Sequence, residues 1–364
     1  MNIDLQRKEI HGLLPTDILF QTAYWSQVKS LLGWKPAVFD FKSSMGQRGD
    51  LLALIRPLSD DLAFAYVPQG PESGPDPEQY GLFLEALSEA LAGHLDPAVV
   101  FIRYDLPWES PYPADAANGQ SGSGRPVPQL RELRLNIGTR NWNLRKAAVD
   151  LTVADAWVVD LGDAEETVFG AMKPKTRYNV RLAQRKGVRV FCAASEMLPV
   201  FYDLYLQTAR RNGFLAASYR HFAGMFSPLA LERGSVEILL LLASRGQDIL
   251  AGAIVAISQR RAFYLYGASS GENRNLMAPY ALHWEAMKLA SERGCLTYDM
   301  GAVSPRADPR HPFYGMYRFK AGFGGNMVHR KGSWDYPLDR RGYKAFRNFE
   351  GRVQSGLPYS RERS

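Results

Sequence analysis

Residues 236–268 read VEILLLLASRGQDILAGAIVAISQRRAFYLYGA. Three apolar runs, Val236–Ser244, Ile249–Ser258 and Ala262–Ala268, are each of strand length and are parted by short polar breaks. Breaks that short join antiparallel neighbours, so this stretch predicts a three-stranded antiparallel segment. Its most apolar strip, Ile238–Ala243, is far shorter than the roughly 20 residues a spanning helix needs, and no run in the chain approaches that length.

Working outward, Glu165–Met172 and Lys175–Lys186 read as two consecutive helices, Val188–Ala193 as a strand, and Met197–Arg211 and Tyr219–Leu231 as helices. After the three strands come a helix over Leu276–Arg293 and a strand over Cys295–Met300. That order of elements resembles the GNAT acyltransferase fold. The first half is mixed α/β, with strands predicted at Ala37–Lys42, Leu51–Pro57, Leu62–Val67 and Val99–Tyr104 and helices at Ala23–Leu32 and Pro77–His94. Pro111 to Pro128 is rich in Pro, Gly, Ser, Ala and Asn and predicts a mobile surface loop. Tyr336–Arg352 reads as a final helix packing back on the first half.

The 364 residues suffice for two domains, and 46% hydrophobic with 22% charged residues is ordinary for a folded protein. The N-terminus carries no apolar segment of a secretory signal. Two cysteines, Cys192 and Cys295, form no disulfide framework and read as small core residues. The six histidines are scattered without metal-ligand spacing, so neither a metal nor another cofactor is expected, and a cytoplasmic location is. Charge is unevenly placed. Residues 171–220 hold ten Lys/Arg against two acids, a local +8 in a chain of net +7, which points to a polyanionic partner.

Within that segment Lys173, Arg177, Arg181 and Arg185 recur every fourth residue, with Lys175 beside them, and form one cationic stripe on a helix that Gly187 ends. Like charges at that spacing repel by a few tenths of a kcal/mol per pair, which phosphates would relieve; a solvated helix face is the plain alternative. Arg210-Arg211-Asn212-Gly213 closes a helix, where arginines suit either the helix dipole or a phosphate clamp. Tyr66 leaves a strand into the turn Val67-Pro68-Gln69-Gly70-Pro71, and Asp105 sits at a strand end, where a lone Asp is more often a turn or cap residue than a site. Tyr264 and Tyr266 alternate along a strand and are expected to share a face, as plain packing or as phenols over a ligand.

Tyr317-Arg318-Phe319-Lys320-Ala321-Gly322-Phe323-Gly324-Gly325 sets a lysine among aromatics and glycines. A desolvated ammonium acts strongly on a nearby oxyanion, so Lys320 is a candidate catalytic residue; otherwise it is a strand lysine with a buried stem. The chain has no P-loop, no dinucleotide-binding turn and no Gly-x-Ser-x-Gly elbow. The pyrophosphate loop of CoA-using GNAT enzymes is also missing, so an acyl donor other than acyl-CoA is expected.

Taken in order, these motifs resemble the FemABX peptidyltransferases, aminoacyl-tRNA-dependent enzymes of peptidoglycan cross-bridge synthesis. The resemblance rests on Gln21-Thr22-Ala23-Tyr24-Trp25 with Lys29 and Gly33-Trp34, on Tyr66–Pro71, on Lys175–Val180 with Gly187-Val188, on Thr208 with Arg211–Phe214, on Tyr266–Ser269, and on Phe319-Lys320 with Phe323–Gly325, Gly332 and Trp334-Asp335. It implies two GNAT-like acyltransferase domains, α/β (α+β), without a long coiled-coil arm: residues 1–153 completed by 333–364, and residues 154–332. The implied donor is an aminoacyl-tRNA, held by the 173–185 stripe. The implied acceptor is the amine of a UDP- or lipid-linked muropeptide, with peripheral contact to a membrane-held precursor and no transmembrane segment. By resemblance Lys29 and Arg211 hold a diphosphate, Asp105 is a candidate for contact with the acceptor amine, Tyr66, Tyr264 and Tyr266 line the acceptor side, and Lys320 faces the aminoacyl ester. A GNAT-type transferase with another acceptor, or a non-catalytic RNA-binding protein, are the alternatives; RNA binding alone leaves Lys29, Arg211, Tyr266 and Lys320 without a role.

Overall fold

The computed structural model describes residues 1–59, 61–112, 126–227 and 236–355, with side chains through Gly351. The chain divides into two units. Of the described residues, the first holds Met1–Leu14, Phe20–Ala154 and the chain from His329 to Ser355; the second holds Pro15–Leu19 and Asp155–Val328.

The first unit runs β1 (Ile3–Lys8), α1 (Ala23–Leu31), β2 (Lys35–Ser43), β3 (Arg48–Ser59), β4 (Leu62–Val67), α2 (Tyr80–Ala92), β5 (Val99–Glu109), α3 (Pro128–Leu135) and β6 (Arg145–Lys146). In the second follow β7 (Asp155–Asp160), α4 (Glu165–Ala171), α5 (Pro174–Arg185), β8 (Arg189–Ala193), α6 (Leu198–Asn212), α7 (Tyr219–Met225), β9 (Val236–Arg245), β10 (Asp248–Ser258), β11 (Arg261–Ser269), α8 (Ala278–Glu292), β12 (Thr297–Ala302) and α9 (Tyr314–Lys320). The chain then returns through β13 (Asn326–Pro337) to α10 (Arg340–Ser355).

In the first unit the strands lie in the order β1-β2-β3-β4-β5-β13, with β6 on β13. Among the described residues only β4 and β5 pair in parallel, and α2 carries the chain between them. A parallel pair needs such a crossover, and α2 supplies it while burying Phe83, Leu84, Leu87 and Leu91 against the sheet. The second unit repeats the plan. Its order is β7-β12-β11-β10-β9-β8, only β11 and β12 are parallel among the described residues, and α8 bridges them. The expected antiparallel trio is β9, β10 and β11. Among the described residues no helix is long and apolar enough to cross a membrane.

Several expectations need correction. Tyr336 and Pro337 end a strand, not start a helix: Tyr336 pairs with Ile102 of β5, and the Asp339 carboxylate accepts from the Gly342 amide at 2.7 Å to start α10 after the proline. Pro128 begins a helix; residues 113–125 of the predicted loop, and residues 228–231 of the helix drawn over Tyr219–Leu231, lie outside the described residues. Cys295 is buried, but Cys192 is exposed because β8 is the edge strand. Tyr264 and Tyr266 do not share a face. Tyr266 lies opposite Ile254 and Tyr264 opposite the adjacent Val255, so one extra residue of β11 sits between them. Such a bulge cancels the alternation. Tyr264 then packs on His283 of α8, and Tyr266 on Tyr205 and Phe222 of α6 and α7.

Gly325 has φ +77°, and a Cβ there would lie 2.2 Å from the Val158 carbonyl oxygen. Gly325→Ala therefore combines a left-handed backbone with a backbone clash and should cost at least about 2 kcal/mol, read as a lower urea midpoint. An unchanged midpoint would contradict this packing.

Candidate active site

The parallel strand pairs that the two crossover helices bridge carry much of the polar chemistry. In the first unit Tyr66 is next to last in β4, and its hydroxyl donates to Asp105 Oδ2 at 2.5 Å. The Thr152 amide donates to the same oxygen at 2.6 Å, and the Ser333 hydroxyl donates to Oδ1. Asp105 is buried, and burial raises its carboxyl above the usual range against the lowering effect of these bonds. Both oxygens are thus occupied from within the unit. The same burial, with Asp105 beside it, pushes the Tyr66 phenol well up.

Lys146, which sequence reasoning passed over, extends this network. Its ammonium donates to Asp150 at 2.6 Å and to the Ser333 carbonyl at 2.7 Å, and Asp150 accepts from the Ser333 amide at 2.6 Å. Burial lowers the Lys146 pKa in spite of Asp150. No motif marks this lysine; its signal is pairing across β6 and β13, which a sequence does not display. Lys29, at the end of α1, is buried with its ammonium 5.0 Å from the Trp25 ring and 5.5 Å from the Trp34 ring. An amine over ring faces is attracted by their quadrupoles.

In the second unit Lys320 is the last residue of α9, on a helix and not the strand its plain reading assumed. It is 6% exposed, and its ammonium donates to the Ala302 carbonyl at the end of β12 at 2.8 Å. The Tyr264 ring lies 5.8 Å away. Tyr264 itself leans along its strand over Gly267, where a Cβ would fall 1.4 Å from the phenol oxygen, so any larger residue there would have to displace the Tyr264 ring. His283 packs tilted against Tyr264, with ring centroids 4.5 Å apart, and its Nδ1 meets the Tyr298 hydroxyl at 3.2 Å. Burial, with Lys320 nearby, lowers the His283 pKa to about 3, so this imidazole is neutral beside the ammonium.

On the other face His221 Nε2 and the Tyr266 hydroxyl are 2.7 Å apart, a partner the sequence did not suggest. Arg211, in the last turn of α6, donates to the Ser269 carbonyl at 2.9 Å and to its hydroxyl at 3.0 Å. The cationic stripe lies on α5, whose opposite side buries Thr176, Asn179, Val180 and Ala183. Lys173, Lys175, Arg181 and Arg185 are exposed. Arg177 is half-buried and donates to the Gly170 carbonyl at 2.8 Å, closing the end of α4. The structure thus joins Tyr66 to Asp105 in one unit, and Lys320 to Tyr264 in the other. It separates Tyr264 from Tyr266, while Lys29 and Arg211 belong to different units.

A model described as the FemAB family matches residues 14–228 and 231–350. This chain belongs to the FemAB family. It is 24% identical over 391 residues to the lipid II:glycine glycyltransferase of Staphylococcus epidermidis, covering 90% of this chain and 89% of that one. Against the Staphylococcus aureus protein of the same name it is 21% identical, covering 93% and 92%. Among solved structures a FemX crystal structure superposes with a TM-score of 0.73 over 94% of this chain and all of that one, at 17% identity. A tandem GNAT protein of the clavulanic acid pathway reaches 0.50 at 12% identity, covering 92% of this chain and 98% of that one. The expected family, GNAT-like fold and acyltransferase class of a FemAB protein are borne out.

The neutral His283 makes a testable demand. Its ordinary pKa is 6.5 and its folded value about 3, so between these the unfolded chain binds a proton that the folded chain does not. Stability is therefore retained above pH 6.5 and falls as pH drops toward 3. His283→Gln should flatten the decline of the urea midpoint across that window. Parallel wild-type and variant profiles would contradict a buried neutral imidazole.

Proposed function

We propose that this chain transfers an aminoacyl group from an aminoacyl-tRNA to the amine of a peptidoglycan precursor's stem peptide, in cross-bridge formation. The observation that carries this reading is the match over about nine-tenths of both chains to proteins named lipid II:glycine glycyltransferase. The lipid-linked precursor is the acceptor this favours, and the work is cytoplasmic, where charged tRNA is available.

The tRNA ester is an activated acyl donor and a neutral primary amine is a competent nucleophile. Attack forms the C–N bond and moves the carbonyl pair onto oxygen. Collapse of that oxyanion expels the ribose oxygen, which takes up the proton the amine loses. No covalent enzyme intermediate is required; positioning and oxyanion stabilisation are. Lys320 suits the second task. It is buried, donates to the Ala302 carbonyl and lies close to a neutral His283 and the Tyr264 ring. Arg211 is assigned to the diphosphate of the acceptor and Tyr266 to its lining, Tyr264 to packing beside Lys320, Lys29 to an anion held by the first unit, and Asp105 to fixing Tyr66. The exposed Lys173, Lys175, Arg181 and Arg185 are assigned to tRNA phosphates, with Arg177 bracing the helix.

Lys320→Met keeps the buried stem and removes the charge. Turnover should fall by roughly 10²–10³ with little change in precursor KM; wild-type turnover in the folded variant would remove Lys320 from the chemistry. Arg181→Glu with Arg185→Glu should weaken charged-tRNA binding and flatten its salt dependence, leaving precursor KM unchanged. Equal affinity at every salt concentration would transfer the RNA site elsewhere.

A further inference from the structure

His221 is the third residue of α7 and is 2% exposed. Ser218 caps that helix by accepting from the His221 amide, which sets where the imidazole enters the unit. The ring lands among aromatics. Its neighbour Phe222 is wholly buried and packs edge-on against Phe201 of α6 at 5.8 Å and Tyr266 of β11 at 4.8 Å. An apolar side chain would fill such a place without the cost of burying imidazole nitrogens. The chain has a histidine there instead, with Nε2 2.7 Å from the Tyr266 hydroxyl. That bond offsets the burial of the nitrogen.

Tyr266 is half-buried, whereas its partner is sealed. Its ring is held by Tyr205, His221 and Phe222, with centroids 6.1, 5.5 and 4.8 Å away, all near-perpendicular. Packing fixes the ring but leaves the hydroxyl hydrogen free to rotate about the C–O bond; a hydrogen bond with a sealed nitrogen stops that rotation. A phenol oxygen both donates and accepts, so it keeps capacity for a ligand while bonded to His221. One face of α6 ties this phenol to Arg211. Tyr205, Thr208 and Arg211 recur at every third residue; the first packs on Tyr266, and the other two donate to the Ser269 carbonyl at 3.1 and 2.9 Å. Phenol and guanidinium thus line one wall of the second unit.

We infer that His221 is a positioning residue, which orients the Tyr266 hydroxyl for a hydrogen bond with a polar group of the muropeptide acceptor. Sealed behind the phenol, it acts through Tyr266 and not on the substrate itself. A hydroxyl oriented beforehand loses less freedom when the acceptor binds, so the gain is in acceptor affinity. The inference rests on the reading that Tyr266 lines the acceptor side. Plain packing of α7 on α6 is the alternative, and it makes no demand on which imidazole nitrogen is replaced.

The test puts two amides in place of the imidazole and follows transfer to a lipid-linked or nucleotide-linked muropeptide, whichever is turned over. A glutamine side chain carries its amide to the place of Nε2, while an asparagine reaches only that of Nδ1. His221→Asn should raise the acceptor KM about fivefold and His221→Gln less than about twofold, with kcat and the charged-tRNA KM little changed in both. Tyr266→Phe should raise the acceptor KM at least as much as His221→Asn, and His221→Asn added to it should raise KM no further. Thermal melts check that each variant folds. Should His221→Asn not fold, Tyr266→Phe removes the same bond from the half-open side, and an unchanged acceptor KM there overturns the inference. Wild-type acceptor KM in His221→Asn, equal effects of the two amides, or an effect of His221→Asn that persists beside Tyr266→Phe overturns it while transfer itself stands. No transfer to either muropeptide overturns the functional reading, and the inference with it.

Discussion

Arg103 is the residue on which the first unit depends. It lies on β5, 1% exposed, and grips Asp335 of β13 through two bonds of 2.6 and 2.9 Å. Glu350 of α10 closes the other side of the guanidinium at 2.7 Å, and Tyr343 donates to Asp335 at 3.0 Å. Removing one partner of such a buried cluster costs about 3–5 kcal/mol, because the other charge is left uncompensated. The pairing joins residues 232 positions apart, with the main part of the second unit between them in sequence. It also sets the register of β13 on β5, and with it the chemistry: Ser333 lies opposite Asp105, two positions from Asp335. The Tyr66–Asp105–Ser333 network is assembled only when the end of the chain has returned.

The two units share one device. Each sheet is antiparallel except at a single pair, and at each parallel pair a helix crosses over between the strands. Tyr66 and Asp105 lie on the first such pair; Tyr264 and Ala302, the carbonyl partner of Lys320, lie on the second. A bulge in β11 then sends Tyr264 and Tyr266 to opposite faces, one toward Lys320 and the other toward His221. One strand thereby serves two environments, and plain alternation would have given only one.

Much of this was legible in the residues. Apolar runs and glycine stops marked α1, α2, α5, α6 and β9–β11 closely, because each buries a continuous stripe or lies between clear breaks. The basic stripe on α5 and the glycine-rich setting of Lys320 were visible for the same reason: they are local. What stayed hidden is long-range. β13 carries Trp334 and Tyr336 into a strand that only β5 defines, so its end read as helix. Lys146, His221 and His283 acquire meaning from partners tens to hundreds of residues away. The repeat of topology between the units left no repeat in the sequence, since different side chains fill the same plan. α3 escaped notice because its inner face buries only one large apolar residue.

The most direct test of the central claim is product mass. The purified chain, a pool of charged tRNAs and a lipid-linked or nucleotide-linked muropeptide are incubated together, and the precursor is weighed. The account predicts a gain of one aminoacyl residue on the stem-peptide amine that requires the precursor and intact charged tRNA and disappears after ribonuclease treatment. No gain with any charged tRNA, or a gain that survives ribonuclease, would contradict it.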